Sequence, residues 1–117
     1  MNNIQISENF KLREFECRCC GAVKLDSELL RRLQAIRAET GRPLRITSGY
    51  RCSTHNRTVG GASQSRHMVG DAADIVIVGW PIARQRQVAE KYFDDGGIGY
   101  MNTATHVDLG SRRRWNY

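Results

Sequence analysis

Four residues have types and spacings that could do chemistry together. His67 and Asp74 stand with six residues between them in Ser65-Arg-His-Met-Val-Gly-Asp-Ala-Ala-Asp74, and His106 and Asp108 follow in Thr105-His-Val-Asp108. Two neutral imidazoles and one carboxylate are a common catalytic zinc set that leaves one coordination position for water. Such an ion makes a nucleophile near neutral pH and polarises a carbonyl. His67, Asp74 and His106 are therefore the candidate ligands of one Zn2+ ion, and the reaction they point to is hydrolysis. The plainer alternative for each histidine is a hydrogen-bonded polar residue. For Asp74 it is a buried carboxylate held by backbone amides or an arginine. The chain has only three histidines. Two of them sit at strand or loop edges near glycines, each with a carboxylate at a sensible spacing.

Alternate residues on a strand share a face, so His106 and Asp108 point the same way. Asp108 is a candidate catalytic base toward a bound water. It is equally a candidate acceptor that orients a ligand imidazole. Asp71, in the loop between His67 and Asp74, is a second candidate base.

The elements that must position these residues are legible in part. Asp26 reads as the cap of a helix over residues 26–40, with Leu29, Leu33 and Ile36 as its apolar stripe. Gly41 ends it and Pro43 prevents its restart. Residues 44–47 read as a strand, and 53–58 as a short helix capped by Ser53. Residues 72–78 are apolar on both faces except at Asp74, as in a central strand. Pro81 suits the first turn of a helix running to residue 93, with Ile82, Val88, Ala89, Tyr92 and Phe93 as its core face. Residues 97–100 and 105–109 read as two strands joined by a turn. The first nine residues read as a loose tail, and Asn9 as a cap for a short helical segment anchored by Phe10, Leu12 and Phe15. The expected architecture is α+β, a small and mainly antiparallel sheet flanked by helices, in one domain over residues 1–117.

The net charge of +6 and pI near 9.5 suit an anionic partner, whether nucleic acid or an anionic cell wall. No apolar run is long enough to span a bilayer, so no membrane insertion is expected. The N-terminus lacks the basic start and apolar core of a signal peptide, so synthesis in a cytoplasm is expected. The four cysteines, Cys17, Cys19, Cys20 and Cys52, leave three readings. Cys17 and Cys20 could join Cys52 and His55 in a structural zinc knot, the cysteines could pair as disulfides, or they could remain thiols.

Ser48-Gly-Tyr-Arg51, Val59-Gly-Gly-Ala62, Ser65-x-His67, Gly70-x-Ala72-x-Asp74, Gly97-Ile-Gly99 and His106-Val-Asp108 occur in one order. This series resembles the zinc D-alanyl-D-alanine peptidase family, in the wider group that includes lysostaphin-like enzymes and hedgehog. It is most similar to small phage endolysins and murein endopeptidases of that group, over residues 10–115. The resemblance implies zinc bound by His67, Asp74 and His106. It implies that Arg51 binds a substrate carboxylate or carbonyl and that Ser65 helps hold the substrate. A structural salt bridge is the alternative for Arg51, and a turn hydroxyl for Ser65. The implied function is zinc-dependent hydrolysis of peptide bonds in peptidoglycan, by a monomer acting on the cell wall. Several members of the family carry an acidic residue three positions before the last zinc histidine, whereas this chain has Thr103. Two rivals follow: a zinc-containing wall-binding domain without catalysis, and a basic zinc module that binds nucleic acid through arginines 112–114 and Trp115. The scattered arginines and the absence of a nucleic-acid motif weigh against the second.

Overall fold

The computed structural model describes residues 2–117. Helix α1 (Ser27–Thr40) starts where the Asp26 carboxylate accepts from the backbone N–H groups of Glu28 and Leu29, at 2.8 and 3.3 Å. It ends at Gly41, whose φ of 63° is the left-handed geometry that glycine adopts without steric cost. Leu29, Leu33 and Ile36 are buried, as their spacing predicts. Strand β1 (Leu44–Ser48), helix α2 (Ser53–Thr58), strand β2 (Ala72–Ile77) and helix α3 (Ile82–Tyr92) follow. Strands β3 (Gly97–Tyr100), β4 (Thr105–Asp108) and β5 (Arg113–Asn116) complete the fold.

The five strands form one sheet in the order β1-β2-β4-β3-β5. Every neighbouring pair is antiparallel except β3 and β5, which run parallel. The α+β reading with a mainly antiparallel sheet therefore holds. The fifth strand is an addition to it, since the chain's end carries no apolar alternation of the kind that marks a half-buried strand.

Alternation along the central strands sorts the residues into two faces. Ala73, Ile75 and Ile77 of β2, Val107 of β4 and Ile98 of β3 join the core with α1 residues Leu29, Leu33 and Ile36. Val88, Ala89 and Phe93 close that core from the α3 side. The intervening residues Asp74, His106 and Asp108 lie on the opposite face of the same strands. A single register thus buries the apolar set and presents the polar one. Sliding β4 by one residue would exchange the two sets, so the core itself fixes the polar residues in place.

Several local expectations are corrected. The cap of α2 is Cys52, whose sulfur accepts from the His55 N–H at 3.4 Å, and not Ser53. In α3 Gln85 is buried alongside Val88 and Ala89, and Ile82 is only half-buried. The Gln85 side chain accepts from Ile77 N–H and donates to the Trp80 carbonyl, both at 2.8 Å, so it satisfies backbone groups left over where β2 ends. Residues 2–9 are docked instead of loose. Ile6 packs on the core, Gln5 pairs with Lys11 in a β-bridge, and the Asn2 amide donates to Glu16 and to the Gly21 carbonyl. The short 3-10 helix Leu12–Phe15 begins at Lys11, while Asn9 accepts from Gln34 of α1. Among the described residues no helix is long and apolar enough to cross a membrane.

Candidate metal centre

His67 sits in a 3-10 turn, Arg66–Met68, whose first N–H groups are satisfied by Ser65: its hydroxyl accepts from His67 N–H at 3.2 Å. Asp74 and His106 are direct cross-strand partners on β2 and β4. All three side chains are buried, at 2%, 3% and 4% exposure. The ring Nδ1 of His67 is 2.8 Å from the Gly49 carbonyl. A carbonyl only accepts, so Nδ1 carries the proton and Nε2 presents a lone pair. The ring Nε2 of His106 is 2.7 Å from the Asp108 carboxylate, which by the same reasoning leaves His106 Nδ1 as the lone pair.

These two lone pairs and one oxygen of Asp74 converge. His67 Nε2 is 3.2 Å from Asp74 Oδ1 and from His106 Nδ1, and His106 Nδ1 is 3.1 Å from Asp74 Oδ1. Three acceptors at that separation, with no proton left for any of them, repel unless a cation lies between. Ligands about 2.0–2.1 Å from a tetrahedral zinc ion lie roughly 3.3 Å from one another, so spacing and donor chemistry both fit a divalent metal. In the metal-free chain an added proton on an imidazole takes the cation's place: burial would raise the Asp74 pKa, but hydrogen bonds from the protonated His106 and His67 rings hold it far below the usual carboxylate range. His106 moves the other way. Burial disfavours its cation, yet Asp108 and Asp74 outweigh burial and raise its pKa.

Asp108 is fully buried and every acceptor site on it is engaged. Oδ2 takes His106 Nε2–H and an Arg113 N–H at 2.8 Å. Oδ1 takes the Gly110 and Gly97 N–H groups at 2.9 and 3.2 Å, and a second Arg113 N–H at 3.3 Å. Burial opposes ionisation, but His106, Arg113 and the Gly110 N–H overcome it and hold the Asp108 carboxyl far below its usual range. It stands behind His106, on the side away from the three converging atoms. Gly97 makes this possible, because a Cβ there would come within 2.6 Å of the carboxylate oxygens. Asp71 is likewise engaged, in an ion pair with Arg66.

Arg51 and Ser65 line the same pocket of about 540 Å³ as His67, Asp74 and His106. The Arg51 guanidinium is held by Ser48 and Asn56 and reaches the outer oxygen of Asp74 at 3.4 Å. Arg66 and Arg113 add positive charge to the rim. The sequence reading missed the Gly49 carbonyl, which no side-chain pattern can reveal, and the contributions of Arg113 and Trp115. The Trp115 ring packs against His106 at a tilt of 53°, with centroids 5.1 Å apart. The signal for both was the two-residue alternation Arg113, Trp115, Tyr117, which puts three large side chains on one face of an edge strand. The three terminal arginines are drawn into ion pairs, Arg112 and Arg114 with Asp94, Arg114 also with Glu90, and Arg113 with Asp108.

The cysteines form a second group elsewhere. The sulfurs of Cys17, Cys19, Cys20 and Cys52 all lie within 4.8 Å of one another. Of the three readings of the cysteines, the zinc knot placed His55 in the group; the structure groups Cys19 with the other three sulfurs instead, and His55 contributes its backbone N–H to Cys52.

A family model described as Peptidase M15 matches residues 8–108. Over 90 residues, 73% of this chain, the sequence is 39% identical to a zinc D-Ala-D-Ala carboxypeptidase of Streptomyces albus G. Over 102 residues, 79% of the chain, it is 31% identical to a protein of Haemophilus influenzae named "Probable peptidoglycan L,D-endopeptidase MepK". The aligned parts cover 35% and 54% of those relatives, so the chain spans about a third to a half of their length.

Proposed function

The chain belongs to the Peptidase M15 family, and from that premise we propose that it is a zinc peptidase that hydrolyses peptide bonds in peptidoglycan. The observation that carries the proposal is the convergence of His67 Nε2, Asp74 Oδ1 and His106 Nδ1 at 3.1–3.2 Å on the floor of an open, arginine-rimmed pocket. Zinc held there by these three residues would supply a Lewis acid that activates water and polarises the scissile carbonyl.

The chain's own residues supply the rest. The Gly49 carbonyl fixes the tautomer of His67, and Asp108 fixes that of His106, so both lone pairs face inward before any ion arrives. In this reading Asp108 is a positioning residue. Acting as a base instead would require it to release His106 or Arg113. Arg51, bonded to Ser48, Asn56 and Asp74, lines the pocket. There a guanidinium can grip a stem-peptide carboxylate or carbonyl through paired hydrogen bonds. Ser65 offers its hydroxyl proton to the substrate while its oxygen accepts from His67 N–H. The positive rim favours the approach of an anionic wall polymer.

One observation favours a second reading, a wall-binding domain without catalysis. Each carboxylate lining the pocket, Asp74 and Asp108, already has its partners, and the position three before His106 is Thr103. One digestion decides between the two. Purified peptidoglycan is incubated with zinc-loaded protein or with His67→Ala, and the products are identified by mass spectrometry. New peptide termini with wild type alone support the peptidase and identify the bond. Intact wall, from several chemotypes, with one zinc bound at the pocket, supports the binding domain.

A further inference from the structure

We propose that Cys17, Cys19, Cys20 and Cys52 bind a second zinc ion, as a closed tetrathiolate site that clamps the N-terminal segment onto the loop carrying Arg51. The four sulfurs come from two distant places in the chain and meet within 4.8 Å. Cys19 and Cys52, 33 positions apart, have their sulfurs at 3.5 Å. Thiolates at about 2.3 Å from a tetrahedral zinc ion stand roughly 3.8 Å from one another. Four thiolates are also a soft set that selects zinc over calcium or magnesium.

The backbone around the sulfurs is shaped for this. The Cys17 N–H donates to the Ala22 carbonyl at 2.7 Å, and the Gly21 N–H donates to the Cys17 carbonyl at 2.9 Å. The chain therefore curls tightly from 17 to 22, turning at Gly21 with φ at 76°. Across the cluster, the Cys52 N–H donates to the Cys17 sulfur at 3.4 Å, and the His55 N–H donates to the Cys52 sulfur at 3.4 Å. N–H groups aimed at sulfur offset the negative charge that four thiolates bring together, as outer hydrogen bonds do in metal sites generally. None of the four cysteines lines the 540 Å³ pocket. With four protein ligands the site leaves no position for water, which marks a structural zinc.

The clamp has a location that matters. Tyr50 N–H donates to the Phe15 carbonyl at 2.8 Å, and Arg51 N–H donates to the His67 carbonyl at 3.0 Å. Gly49 lies so close to Phe15 that a Cβ would come within 2.7 Å of its backbone. The segment from 49 to 52 is thus held between the cysteine turn and His67. It carries the carbonyl that orients His67 and the guanidinium that faces the pocket.

The test is metal binding by the full chain, reduced and stripped of metal, then titrated with Zn2+ or with Co2+ as a spectroscopic probe. Two equivalents should bind. One cobalt should show thiolate-to-metal charge transfer, and that band should survive in His67→Ala. Cys19→Ser and Cys20→Ser, both at exposed positions, should each lose the band and one equivalent while keeping the other. A wild-type protein that binds a single equivalent with no thiolate charge transfer overturns the proposal, whatever the variants do. Recovery of the protein from its producing cells with these cysteines joined as disulfides and no sulfur-bound metal overturns it as well.

Discussion

The two candidate metal clusters are built on opposite plans. The His67, Asp74 and His106 group draws two of its members from paired central strands, and the core on the far face locks their register. Each imidazole is tied from behind by a separate acceptor, and the group opens onto a pocket. The cysteine group stands on a tight turn and a helix cap, with two of its four side chains exposed. Its outer contacts are backbone N–H groups, and none of the four cysteines lines the 540 Å³ pocket. The difference teaches what each geometry is for. Ligands on a rigid sheet with one position free suit chemistry, and ligands on two loops with none free suit fastening.

The largest blow to this contrast comes from removing a sheet ligand. His106→Ala should abolish hydrolysis and cost one zinc equivalent by elemental analysis, leaving the thiolate-bound ion in place. Loss of both ions together would show that the two groups are one unit.

Asp108→Asn sharpens the comparison by weakening the support behind the sheet site. The expected result is a drop of about 10–100-fold in zinc affinity, with hydrolysis regained in excess zinc. Activity lost while zinc stays tightly bound would make Asp108 the proton acceptor instead.

A smaller effect is expected at Arg51, where the two regions meet. Arg51→Lys keeps the charge and loses the fork. KM should rise roughly tenfold to a hundredfold, the equivalent of ~1.5–3 kcal/mol for a charged hydrogen bond, with both metals retained. A fall in kcat at constant KM would move Arg51 from substrate binding to transition-state stabilisation.

The gentlest probe is pH on the metal-free protein. Asp108 has a folded pKa below its ordinary 3.8. The stability it contributes is full above that value and is lost as pH falls toward the depressed one. His106 has a folded pKa above its ordinary 6.5. Its contribution is full below 6.5 and is lost as pH rises through the raised value. Urea midpoints of the metal-free chain should therefore peak between these limits. Zinc should move the optimum upward, because it requires His106 without its second proton. An unchanged optimum on adding zinc would mean that His106 is not a ligand.

How much of this was legible depends on how local the determinant is. Helix α1 could be read from Asp26, the Leu29-Leu33-Ile36 stripe and Gly41, because cap, face and stop all lie within one segment. The convergence of the histidines and Asp74 could be anticipated because so few residue types hold zinc and because the motif order resembled a known family. Gln85 could not be read, since its burial answers to a backbone N–H on β2 and a carbonyl at Trp80. Cys19 was missed because spacing along the chain favoured Cys17 and Cys20. Only the fold brings Cys52 beside Cys19 and turns the sulfurs together. The docking of residues 2–9 was hidden for the same reason, since a polar segment shows its partners only once Gly21 and Lys11 are in place.

Strand β5 has a consequence for the order in which the pocket is assembled. It pairs with a single neighbour, β3, and delivers Arg113 to the Asp108 carboxylate and the Trp115 ring to His106. All three candidate zinc ligands precede it in the chain. A polypeptide emerging from the ribosome therefore holds the whole ligand set before it holds the strand that steadies one of them. The site's readiness waits on a strand made after its candidate ligands, and β5 acts as the latch.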